Sequence, residues 1–85
     1  MKTKEQKLPK WFNGTIYKKG EIVINRFSGE EYELNNIELS MYDLIMGATI
    51  LIEMNMVTDE ILDDHRKGLY WFRTYSPKAY MVLLD

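Results

Sequence analysis

The sequence predicts an α+β fold: an N-terminal antiparallel β-hairpin or three-stranded meander packed on three helices, the first of them central. Three observations carry this. Residues 15–34 hold short β-branched and aromatic runs divided by glycine turns. Residues 37–54, IELSMYDLIMGATILIEM, are helical in pattern and apolar almost all the way round. Two further helix starts follow, at Thr58-Asp59-Glu60 and at Ser76-Pro77.

The first strand candidate is Thr15 to Tyr17, closed by Lys18-Lys19-Gly20, where glycine is expected to supply a left-handed turn residue. Glu21 to Asn25 is β-branched and apolar, and Arg26 to Gly29 connects it to the next run. Glu30 to Leu34 alternates, with Tyr32 and Leu34 on one face and Glu31 and Glu33 on the other. An isolated hairpin is marginal in water, so other elements must cover its apolar face.

Asn35 or Asn36 is suited to cap the first helix, because a short side-chain oxygen accepts from its free N–H groups. Glu38 then lies in the first turn, where a negative charge favours the helix dipole. Asn55 tolerates the left-handed conformation that ends a helix. In the second helix Ile61, Leu62, Leu69 and Phe72 share a face with His65 and Gly68. A glycine there implies close approach of a neighbour. Trp71 lies at the margin of that face. Pro77 is placed for a first helical position, but Lys78 to Leu84 is short enough to read as a helix or a buried strand.

The first helix carries two apolar stripes. Ile37, Met41, Leu44, Ala48 and Leu51 form one, with Ile45 and Ile52 on its shoulder. That stripe suits the chain's own hairpin and helices. Leu39, Tyr42, Met46 and Ile50 form the second, on the opposite side. It is covered either by the rest of the chain or by a partner. The expected partner is a second copy, since an exposed row of this kind exceeds what a monomer normally shows and oligomerisation is a usual remedy for a small core.

At 85 residues the chain makes one domain, residues 11–85, after a basic, flexible arm at residues 1–10. Charge is unevenly spread. Residues 1–20 hold six lysines against Glu5, residues 21–64 hold eleven acids against Arg26, and the whole chain carries −2. Cysteine is absent, which excludes thiolate zinc sites and favours a reducing, cytoplasmic setting. The start lacks the apolar core of a signal peptide, and no apolar run is long enough for a membrane span.

No catalytic, metal or cofactor motif is present, so an enzyme is not expected. His65 is the only histidine and has no histidine partner for a metal; packing or hydrogen bonding is its expected role. Asp59, Glu60, Asp63 and Asp64 are read as N-terminal charge of the second helix, since they lack the spacing of a Ca²⁺ loop. No glycine-rich phosphate loop occurs. Nucleic-acid binding has a narrower basis: Lys7, Lys10, Trp11, Lys18 and Lys19 combine cations with an aromatic ring at the basic end. Tyr70, Trp71 and Tyr75 are candidate anchors for a partner protein.

The segments FSGEEYELNNIELSMYDLIMGA and RKGLYWFRTYSPKAYMVLLD resemble short uncharacterised proteins of tailed phages, especially T4-like phages of marine cyanobacteria. The resemblance covers roughly residues 20–85. It implies expression inside an infected bacterium and a small accessory or virion-associated role; separately, the acidic middle of the chain suits a basic surface on a host or phage protein as partner. The resemblance brings no catalytic or ligand-binding residues with it. The sequence-level reading is therefore a small non-enzymatic protein that acts through protein–protein contact as a homo-oligomer, with nucleic-acid association through the lysine-rich start as the alternative.

Overall fold

The computed structural model describes residues 6–84. Two strands, β1 (Glu21–Ile24) and β2 (Glu31–Leu34), form an antiparallel hairpin, followed by helices α1 (Asn36–Glu53), α2 (Asp59–Tyr75) and α3 (Pro77–Leu83). The α+β architecture is as the sequence predicts. The core is built from Leu34, Met41, Ile45, Trp71, Phe72, Ala79 and Leu83, where β2 and the three helices meet. Trp71 belongs to it fully and not to its margin.

The hairpin has two strands and not three. Tyr17 donates its backbone N–H to Ser40 Oγ at 2.9 Å, so residues 15–17 are tied to α1 and not to β1. The buried Ser40 hydroxyl in turn donates to Asn36 O at 2.8 Å. Gly20 is not left-handed: among the described residues only Gly29 (φ 78°) and Asn55 (φ 64°) have positive φ. Glycine is required at position 20 because a Cβ there would lie 1.9 Å from Leu34 O. The β1–β2 turn is held by Asn25, whose Oδ1 accepts from Phe27 and Ser28 N–H and whose Nδ2 donates to Val82 O on α3.

Helix α1 opens with a full capping box. Asn35 Oδ1 accepts from Glu38 N at 2.8 Å, and Glu38 Oε1 accepts from Asn35 N at 2.9 Å. It closes with a Schellman motif, in which Met56 N–H bonds Leu51 O and Asn55 N–H bonds Ile52 O. Thr58 caps α2 through Ile61 N–H. Gly68 is where α2 meets α1 most closely: a Cβ would come 2.8 Å from Ile45 Cγ1. Residues 77–83 form a helix, not a strand. Pro77 holds its first turn, but the Ser76 hydroxyl does not cap it. That hydroxyl donates instead to Glu38 Oε2 at 2.7 Å, a charged acceptor that outcompetes a backbone cap.

Before β1, residues 6–20 run along the helix pair. Gln6 Nε2 donates to Glu38 Oε2 and Tyr75 O, Trp71 Nε1 donates to Lys7 O, and Asn13 Nδ2 donates to Asp64 Oδ2. Of the expected basic arm, residues 6–10 thus lie on the domain, and residues 1–5 fall outside the described residues.

Candidate functional site

The second stripe of α1 is covered unevenly, and the reason is geometric. Residues 13–15 lie beside Leu44, Gly47, Ala48 and Leu51 on the other stripe, whereas Tyr17 and β1 face the second stripe across a groove that includes Leu39, Tyr42 and Met46 but not Ile50. Leu39 is 7% exposed, Tyr42 and Met46 are half-buried, and Ile50 is 45% exposed. Leu39 therefore belongs to the chain's own core. Tyr42, Met46 and Ile50 form a ledge that becomes barer toward the C-terminal end.

The hairpin extends this ledge. β2 packs on α3 and α1, whereas β1 makes its substantial contact with β2 alone. Val23 pairs with Tyr32 on the inner face, and Ile22 and Ile24 stand opposite Glu33 and Glu31 on the outer face. Ile22 is 59% and Ile24 56% exposed, and Phe27 in the turn is 88% exposed. The ladder is anchored by Asn25 N–H to Glu30 O, so alternation turns the N–H and C=O groups of Ile22 and Ile24 away from β2. Among the described residues these outward groups have no hydrogen-bond partner. Among the described residues, nothing pairs with this apolar edge of β1.

Between that edge and α1 runs a groove of about 410 Å³, lined by Tyr17, Ile22, Ile24, Leu39, Tyr42 and Met46 among others. A second depression of about 270 Å³ adjoins it beneath the hairpin turn, where Phe27, Tyr42, Met46, Thr49 and His65 meet. Burial pushes the Tyr42 phenol above its ordinary pKa, with Arg26 opposing. The Asp43 carboxylate beside Tyr17 raises that phenol in the same direction. Both hydroxyls stay protonated at neutral pH, and that of Tyr17 hydrogen-bonds the Asp43 carboxylate. His65 Nε2 lies 3.0 Å from Thr49 Oγ1. The single Thr49 hydroxyl proton goes to Ile45 O, so the histidine must donate through Nε2–H. Among the described residues no group of three or more His, Asp or Glu side chains is placed to hold a metal ion.

The five residues of the alternative reading are split. Lys7, Lys10 and Trp11 lie on the segment that crosses α2, where Lys67 Nζ stands 5.5 Å from the centre of the Trp11 ring. Lys18 and Lys19 lie elsewhere, beside Gly20, Glu33 and Asn35 at the start of α1. Sequence reasoning missed the hairpin's part in the ledge. The signal was present in Glu21 to Asn25, which fails to alternate: Ile22, Val23 and Ile24 are apolar on both faces of a strand that only one face of the domain can cover. It also missed Arg66 and Lys67 as neighbours of Trp11, a juxtaposition made only by tertiary structure.

Compared with known proteins, the chain matches no family model, no curated protein and no solved structure. No helix among the described residues is long and apolar enough to cross a membrane.

Proposed function

We propose that this chain is a small, non-enzymatic accessory protein that works through protein–protein contact, pairing with a second copy of itself along β1 and the α1 ledge. The free, apolar edge of β1 carries this reading. Exposed strand edges are templates for strand addition, and soluble proteins normally blunt them with charge, proline or a covering element. Here the edge residues are isoleucines, and Phe27, Tyr42, Met46 and Ile50 continue the apolar surface beside them. Antiparallel pairing about a twofold axis would join two hairpins into a four-stranded sheet. The sequence resemblance to phage proteins supports an accessory or virion-associated role for such a dimer inside an infected bacterium.

Light scattering at micromolar concentration tests the pairing. The wild type should show twice the monomer mass. Ile24→Glu, on an exposed position, should give a folded monomer with unchanged far-ultraviolet circular dichroism. A monomeric wild type, or an Ile24→Glu variant as dimeric as the parent, would sink the proposal.

A further inference from the structure

A separate surface on α2 has the chemistry of a ligand site. Two stripes run side by side along the C-terminal half of the helix. Lys67, Trp71 and Tyr75 recur every four residues, and Arg66, Tyr70 and Arg73 follow at intervals of four and three. Each stripe mixes cation and ring. The segment from Lys7 to Trp11 crosses here, and its indole joins Arg66, Lys67, Tyr70, Trp71 and Tyr75 around a groove of about 420 Å³. Trp71 is the floor: it is buried, its N–H is taken by Lys7 O, and its ring lies 5.2 Å from that of Tyr75. Trp11 and Tyr70 are the walls, and Tyr70 is 64% exposed. A cation attends each wall, with Lys67 Nζ 5.5 Å from the Trp11 centroid and Arg73 Cζ 5.9 Å from that of Tyr70.

We infer that this groove binds single-stranded nucleic acid, with bases stacked on Trp11 and Tyr70 and phosphates held by Arg66, Lys67 and Arg73. The ligand must be anionic, because these three cations and the exposed Lys7 and Lys10 of the crossing segment gather on a chain that is acidic overall. It must also be flat and stackable. A carboxylate-rich peptide would satisfy the cations and leave the ring faces without a planar partner. Paired bases hide their faces in the stack, whereas a single strand presents them. Two carboxylates lie nearby. Asp64 accepts from Asn13, and Asp63 bonds both Arg66 and Lys67, the latter at 2.8 Å. Asp63 therefore competes with phosphate for two of the three cations. This inference is independent of β1 pairing, since the two surfaces share no residue.

Fluorescence polarisation of a labelled oligothymidylate with the full chain tests it. Binding should weaken with salt, with a log–log slope near −2 for three phosphate contacts at about −0.7 each. Tyr70→Ala, at an exposed position, should weaken binding roughly fivefold or more by loss of one stacking platform. Arg66→Glu should weaken it further. Asp63→Asn should tighten it several-fold by releasing Arg66 and Lys67, a gain that a merely structural carboxylate would not give. Lys18→Gln with Lys19→Gln, outside the groove, should leave it unchanged. The inference fails if no binding is seen at low salt, or if Tyr70→Ala and Arg66→Glu bind as the parent does. It also fails if poly-glutamate of matched charge displaces the oligonucleotide as well as unlabelled oligothymidylate does, which would assign the groove to acidic peptides.

Discussion

Glu38 is the residue on which most of the packing converges. It is buried, and its two oxygens accept from Asn35 N–H, Gln6 Nε2 and the Ser76 hydroxyl. One carboxylate thereby joins the chain's start, the cap of α1 and the α2–α3 junction. Removing it strands the Asn35 N–H and the Ser76 hydroxyl and leaves Gln6 Nε2 with Tyr75 O alone. Glu38→Ala should cost about 2–4 kcal/mol in chemical denaturation, more than a cap alone explains. Gly68→Ala sets helix propensity against space. The gain is about 1 kcal/mol, but the new methyl meets the buried Ile45 side chain at 2.8 Å, and overpacking costs about 1–3 kcal/mol. A net loss of Tm is expected. Hydrogen bonds from Lys67 and Arg66 hold the Asp63 carboxyl below its ordinary range. A depressed folded-state pKa contributes stability above the unfolded value of about 3.9 and loses it as pH falls through the folded one. Asp63→Asn should therefore flatten the acid limb of the stability profile below about pH 4 and leave its neutral region unchanged in shape. At this scale, Asn55 was legible in the sequence because its left-handed role is local. Gly20 was not, because what forbids a side chain there is the Leu34 carbonyl, placed by the hairpin register.

Elements follow the same rule. α1 and α2 were readable from periodicity and capping chemistry, both carried by residues within a few positions of each other. Asn35→Ala should cost about 1 kcal/mol, the usual value for an N-cap, with the loss read in the same denaturation experiment. Residues 15–17 have strand composition but do not make a strand. Their N–H at Tyr17 finds Ser40 on α1, and a third strand would have to displace residues 11–20 from the helix pair they cover. Residues 78–84 were ambiguous in sequence because seven residues define no period. The hydrogen bond from Tyr80 N–H to Ser76 O and the Pro77 start decide for a helix. Local spacing alone would make the Ser76 side chain the cap of α3, but the distant Glu38 takes its hydroxyl.

For the whole molecule, the contrast is between a closed core and two open surfaces. The stripe Leu39, Tyr42, Met46 and Ile50 was legible as a second apolar face, and its gradient of exposure was not. That gradient depends on how far Tyr17 and β1 reach along α1. The hairpin's outer face continues the ledge because β1 leans only on β2. The groove on α2 depends on the same segment, 6–20, crossing the helix pair to bring Trp11 to Lys67. In the proposed dimer the edge of β1 is the contact between two copies. Amide hydrogen exchange across a dilution series tests it most directly. The Ile22 and Ile24 N–H groups should be protected at high concentration and lose that protection on dilution, while Val23, bonded to β2, stays protected throughout. Free exchange of Ile22 and Ile24 at every concentration would contradict it.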